Sequence, residues 1–199
     1  MTKNQLTPPA SHSRDHVVPL AGGKPHTDTF TVYADGSSLH NPGPAGWAVL
    51  IIHPGGSRTA LAGSEAQATN NQMELRAAVE ALQVLPRDAS GILCCDSEYV
   101  VNGVTIWRKG WEMRGWRNSK GQPVANAEIW RTLHALSDER PGIRFQWVRG
   151  HAGNSGNELV DTLARAEAEK VRAGLPPTSR VPVAVSQSSG PLFSAARAS

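Results

Sequence analysis

Cysteine is nearly absent from this chain: two residues in 199, Cys94 and Cys95, side by side. Adjacent thiols make neither a CxxC redox pair nor a CxxC half of a metal site. They are expected to be small buried side chains, as free cysteines usually are, in a reducing, cytoplasmic setting. Long apolar runs are missing too. Nothing approaches the roughly 20 residues of a membrane span, and the first residues carry no apolar stretch of the secretory kind, so no membrane partner is expected. Aromatic residues are absent from 1–28 and acidic residues from 174–199. Charge of one sign is also scarce, with a net of only +3. So small an excess permits a polyanionic partner without demanding one.

What is present lies between those two depleted ends. Residues 1–28, rich in Pro, Ser, Thr and His, read as a flexible leader. Residues 174–199 read as a disordered tail, in which VPVAV could pair as an edge strand but not, between prolines, as a central one. The folded domain is therefore expected over 29–173. Phe30–Ala34 is β-rich, NPGPAG marks a turn, and Trp47–Ile52 and Arg58–Ser64 are strands joined by the Pro-Gly-Gly at 54–56. Thr69 and Gln72 form a capping-box signature ahead of a helix with Leu75, Ala78, Val79, Leu82 and Leu85 on one face. Gly91–Cys95 is a short buried strand. Two short helices follow to about Trp116, interrupted near Gly103 and Gly110, then a helix over Asn126–Leu136 and a strand over Ile143–Val148. A last helix opens with a second capping box, Ser155 and Glu158. This order predicts an α/β fold with a mixed five-stranded sheet, three antiparallel strands then two parallel, flanked by helices on both faces.

Four acids stand out against that frame. Asp35 and Asp96 each follow a strand, Glu74 opens the first long helix, and Asp161 lies about one turn into the last, off its apolar stripe of Leu159, Val160, Leu163 and Ala164. Adjacent parallel strands would bring Asp35 and Asp96 to one sheet edge, where α/β proteins place ligands. Four carboxylates together repel unless a hard cation with oxygen ligands offsets them, so the pattern points to a divalent metal site. Taken singly each acid has an ordinary explanation: turn residues for Asp35 and Asp96, and helix-dipole partners for Glu74 and Asp161. His151, in a glycine-rich loop, would alone be a surface residue.

As a set, in the strings YADGSSLHNPGPAGW, TNNQMEL, CDSEYVVNGV, WRKGWEMRGW and VRGHAGNSGNELVDTLA, they closely resemble type 1 ribonuclease H across residues 29–170. The resemblance implies the ribonuclease H-like fold and a metal-dependent endonuclease that cuts the RNA strand of RNA–DNA hybrids, leaving 5′-phosphate and 3′-hydroxyl ends, with family roles in removing RNA primers and R-loops. It implies two Mg²⁺ ions, with Mn²⁺ a possible substitute, on Asp35, Glu74, Asp96 and Asp161. His151 would assist proton transfer or product release on a loop made mobile by Gly150, Gly153 and Gly156. Asn41, Asn70 and Asn71 match positions lining the minor groove, with Glu74 also sensing a 2′-hydroxyl. Thr69 and Asn126 match positions holding a DNA-strand phosphate. In the basic protrusion, Trp107 would pack on a deoxyribose, while Arg108, Lys109, Arg114, Arg117 and Lys120 would meet phosphates. The expected partner is the hybrid duplex and the expected state a monomer. Glu98, Gln67 and Glu112 depart from the family's commonest residues and make the substrate face less basic.

Overall fold

The computed structural model describes residues 28–187. Residues 1–27 and 188–199, which hold the expected leader and the end of the expected tail, lie outside the described residues. Three strands open the fold: β1 (Phe30–Ser38), β2 (Gly43–Ile52) and β3 (Arg58–Ala68). Helix α1 (Asn70–Val84) follows, then β4 (Gly91–Cys95), α2 (Glu98–Asn102), a π-helical turn over Gly103–Trp107, α3 (Arg108–Met113), α4 (Ala127–Asp138), β5 (Ile143–Trp147), α5 (Ser155–Arg172) and β6 (Val181–Val183). The strands lie in the order β5-β4-β1-β2-β3-β6. β1, β2 and β3 form the antiparallel meander, and β4 and β5 add in parallel beside β1.

The sheet has six strands rather than five. The sixth is the VPV run of the expected tail, which pairs antiparallel with β3 at the sheet edge, where a proline costs no ladder bond. Three further ties hold this segment. Arg180 forms an ion pair with Glu80 of α1, which is 2% exposed, and donates to Gln83. Thr178 meets Ser64 of β3 and Glu167 of α5, and Gln187 exchanges hydrogen bonds with the Arg58 backbone. The tail's lack of acids left these cations and hydroxyls free to meet carboxylates on the body of the protein.

Two apolar layers cover the sheet. Alternate residues of β1 and β2, among them Val32, Ala34, Trp47, Val49 and Ile51, pack under α1 and α4, as the period-two geometry of strands requires. Ala48, Leu50, Leu159, Val160 and Ala164 form the layer under α5.

Several boundaries move for identifiable reasons. β2 starts at Gly43 rather than Trp47, with a register irregularity between Gly43 and Ala45 that accommodates Pro44. The expected break at Gly103 is the π-helical turn, whose backbone lies so close that a Cβ would stand 1.9 Å from the Trp130 ring. Gly110 lies inside α3 and interrupts nothing. The cap of α5 is Asn154, whose side chain accepts from the Gly156 and Asn157 N–H groups, while Glu158 accepts from Gly153 N–H. The cap therefore sits one residue earlier than Ser155, and Glu158 reaches the N–H of the residue before the cap instead of closing a reciprocal box.

Replacing Arg180 by Ala leaves buried Glu80 with Arg76 as its remaining cation. We expect a loss of about 1–3 kcal/mol in urea unfolding. A change within about 0.5 kcal/mol, the usual range for a surface residue, would show that the clasp contributes nothing.

Candidate active site

The site begins with strand register. β1 and β4 are parallel neighbours, paired up to Tyr33 opposite Cys94, so the next residues carry Asp35 and Asp96 out abreast. β1 itself does not stop at Asp35 but continues to Ser38 against β2. Asp35 therefore sits where pairing with β4 ends, not where the strand ends. The end of β4 is tied to β5: Val148 N–H donates to the Cys95 carbonyl, and the Trp147 indole N–H donates to the Asp96 carbonyl at 3.0 Å.

Helix α1 is brought in by Gly36. A Cβ there would lie 2.2 Å from the Met73–Glu74 backbone, so only glycine lets the helix approach close enough to deliver Glu74. Thr69 starts that helix with the full reciprocal capping box. Glu74 is then held at both oxygens. Asn70 Nδ2 donates to Oε1 and Ser97 Oγ donates to Oε2, while Ser97 Oγ also accepts from Val100 N–H as the cap of α2. From the other face, α5 supplies Asp161, half-buried, and Asn157, whose Nδ2 donates to Asp96 Oδ2 at 3.0 Å.

The four acids share one field. Burial first, then Asp96, with Asp161 and Glu74 adding, pushes the Asp35 carboxyl up to about 8, against the Gly36 N–H that donates to its Oδ1. Burial also raises Glu74, aided by Asp96 and opposed by the Ser97 and Asn70 hydrogen bonds. Among the described residues, however, no three His, Cys, Asp or Glu side chains form a closed ligand cage.

The expected substrate residues fall into two groups. Near the acids, Asn41 and Asn71 are exposed; Asn41 Oδ1 accepts from Asn70 N–H, and Asn70 Oδ1 accepts from Ser38 N–H. The loop carrying His151 passes over Asp96: a Cβ on Gly150 would lie 2.6 Å from Asp96 Oδ2. His151 is exposed, with φ of 51°. The three loop glycines have different surroundings. Gly150 permits the approach to Asp96, Gly156 packs under the Tyr33 ring, and only Gly153, at φ of 81°, sits in open space with a left-handed backbone.

On the protrusion, Trp111 and Trp116 pack with Trp130 and His134, as structural tryptophans would. Trp107 stays 37% exposed beside Tyr99 and Trp111. Asn126, left-handed at the head of α4, donates to Tyr99 Oη. Arg108 differs from expectation. Its guanidinium grips both oxygens of Asp138 at 2.7 and 2.6 Å and donates to Glu112, so it is a bracket between α3 and α4 rather than a free cation. Arg114 and Arg117 donate to backbone carbonyls. Lys109 and Lys120 are exposed, with no ion pair among the described residues.

Sequence reading missed Gly36, Ser97 and Asn157 as parts of the site. The partners lie 23 residues away for Ser97 and 61 for Asn157, distances at which no local spacing gives a signal.

A mixed sheet with an all-carboxylate group at the edge of its central parallel strands defines a hydrolase of the ribonuclease H-like fold. The chain belongs to the ribonuclease H family: the RNase H family model matches residues 27–169. It is 49% identical over 147 residues to a ribonuclease H of Xanthomonas campestris pv. campestris, covering 74% of this chain and 97% of that protein. It is 47% identical over 143 residues to one of Chromohalobacter salexigens, covering 72% and 86%. Among solved structures it is similar to LC9-RNase H1, described as a type 1 RNase H with the type 2 active-site motif, at 31% identity and a TM-score of 0.64 over 76% of this chain and 75% of that one. LC11-RNase H1, solved with an RNA/DNA hybrid, shares the fold at 23% identity and a TM-score of 0.55, covering 72% and 99%.

The raised Asp35 carboxyl has a measurable consequence. An acid whose folded-state pKa lies above its unfolded value makes the folded protein bind more protons in between, so stability falls as pH rises from about 4 to about 8. Asp35→Asn should abolish that part of the slope and leave the metal-free variant more stable at pH 8 by about 5 kcal/mol, with little difference at pH 4. Parallel pH–stability curves for the two proteins would contradict the buried-charge account.

Proposed function

We propose that this protein is a metal-dependent endoribonuclease that hydrolyses the RNA strand of RNA–DNA hybrids to 5′-phosphate and 3′-hydroxyl ends. The observation that carries the reading is the Asp35 carboxyl, buried in the field of three other acids. A surplus of buried negative charge from oxygen donors fits a hard divalent cation, and a binding module for polyanions would gain nothing from it. Asp35, Glu74, Asp96 and Asp161 would hold two Mg²⁺ ions, with Mn²⁺ as a substitute. Bound there, the ions supply Lewis-acid polarisation and charge neutralisation at a phosphodiester. The chain's own groups do the rest. Ser97 and Asn70 fix the rotation of Glu74. His151, on the loop above Asp96, carries protons or helps product leave.

Selectivity for the hybrid follows from groups that meet a minor groove. A 2′-hydroxyl distinguishes RNA from DNA, and Glu74 with Asn41, Asn70 and Asn71 presents acceptors and donors beside the acids. Thr69 and Asn126 hold a DNA-strand phosphate, Trp107 packs on a deoxyribose, and Lys109 supplies a phosphate contact. The catalytic domain spans residues 29–173 together with the following segment through Gln187, which adds β6 to the sheet, and the protein acts as a cytoplasmic monomer in removing RNA from DNA.

Labelled hybrid, duplex RNA and duplex DNA, each with Mg²⁺ and with chelator, provide the direct test. We expect cutting of the hybrid's RNA strand in Mg²⁺ alone. Asp96→Asn should abolish cleavage while hybrid binding survives, and His151→Ala should slow turnover without eliminating it. Turnover by Asp96→Asn in saturating Mg²⁺ would sink the mechanism.

The bracket around Arg108 separates two neighbouring cations. Lys109→Ala should weaken hybrid binding and lower the slope of log affinity against log salt by about one. Arg108→Ala should act chiefly by loosening α3 from α4, lowering the melting temperature. Equal losses of salt slope in both variants would return Arg108 to the phosphate contacts.

A further inference from the structure

Asn157 is 2% exposed, and its two polar ends are treated unequally. Nδ2 donates to Asp96 Oδ2 at 3.0 Å, whereas Oδ1 is buried with no hydrogen-bond partner among the described residues. Turning the amide over would set Oδ1 against a carboxylate oxygen, so the chemistry fixes which end faces Asp96. A buried acceptor without a donor destabilises the fold. An apolar side chain of similar size would avoid that cost. The fold tolerates it where one further donor reaches the acidic group.

The base beneath this contact is stiff. Asn154 caps the helix by accepting from Gly156 and Asn157 N–H groups, and Gly156 lies so close to Tyr33 of β1 that a Cβ would stand 2.3 Å from its ring. Asn157 and Asp161 are four residues apart on α5 and so share one helix face. That face gives the site both a carboxylate and a donor. Gly150 covers the same oxygen of Asp96, Oδ2, that Asn157 holds, which leaves Oδ1 as the oxygen on offer.

We infer that Asn157 is a positioning residue: it fixes the rotation of the Asp96 carboxylate so that Oδ1 is the oxygen presented to a divalent cation. The inference rests on the hydrolase reading above. Partners that orient a metal-binding carboxylate typically affect affinity roughly ten- to a hundredfold.

The test measures Mn²⁺ binding by calorimetry on substrate-free protein, thermal melting without metal, and hybrid cleavage, for the wild type, Asn157→Ala and the nearly isosteric Asn157→Leu. The expected result is Mn²⁺ affinity lowered roughly ten- to a hundredfold, with the melting temperature of Asn157→Leu equal to or above the wild type's. In cleavage, kcat should fall while KM for the hybrid stays within about twofold, since a positioner acts on the ion rather than on substrate binding. Should Asn157→Ala fail to fold, Asn157→Leu alone decides the matter. Wild-type Mn²⁺ affinity in Asn157→Leu, or a loss of affinity only in step with a lower melting temperature, would overturn the inference and leave the hydrolase reading intact. A wild type that neither binds Mn²⁺ nor cuts hybrid would remove the hydrolase reading and this inference with it.

Discussion

Burying a carboxyl group beside three others is the constraint to which the rest of this molecule answers. Asp35 is 8% exposed, and burial alone disfavours its charged form before any neighbour adds to the effect. Moving it outward would be simple for the chain and useless for the site. Instead the surroundings fix the orientation of two of its neighbours, Glu74 and Asp96. Gly36 sets the approach of α1, Ser97 and Asn70 take the two oxygens of Glu74, and Asn157 takes one of Asp96. The stability lost at Asp35 must be recovered elsewhere, and Trp47 and Trp130, the largest fully buried side chains of the core, are among the groups able to supply it.

The C-terminal segment belongs to the same economy. Arg180 reaches α1, which carries Glu74, and Thr178 reaches α5, which carries Asp161. The two helices lie on opposite faces of the sheet, in separate apolar layers. One segment crossing the β3 edge therefore ties together the layers whose relative placement sets the distance between two site carboxylates. Glu80 and Glu167, at 2% and 4% exposure, are buried acids that need such partners.

How much of this was legible in the sequence depended on range. The meander, the first helix with its Thr69–Gln72 box and the strand ending at Asp96 were local patterns, and each formed. The acids were legible as a set because their strings are distinctive, although each alone had an ordinary explanation. What was not legible required a partner far away in the chain. Arg108 reads as a phosphate contact until Asp138, 30 residues on, takes its guanidinium. Gly36 reads as a turn residue until a helix 37 positions later proves to lie against it. The VPV run was legible as a segment able to pair at a sheet edge, where it lies, but the side chains that hold it, Arg180 and Thr178, have no periodicity to announce their partners.

The protrusion shows how a modestly charged protein can still direct its few cations. Trp111, Trp116 and Trp130 close around His134, which burial and then the nearby Arg108 guanidinium hold below the ordinary histidine value, and hence neutral at physiological pH. A neutral imidazole lets an aromatic cluster form there without burying a charge. Arg108, clamped above it by Asp138 and Glu112, converts one positive charge into a mechanical tie, and Arg131 stacks on Trp116 at 4.7 Å. These arginines stiffen the platform rather than face a duplex. Among the side chains left pointing outward, Trp107, Lys109 and Lys120 are then displayed on that base, and a preorganised contact loses less entropy on binding than a mobile one. On the proposed reading, a small number of well-anchored groups would substitute for the density of positive charge that the composition lacks.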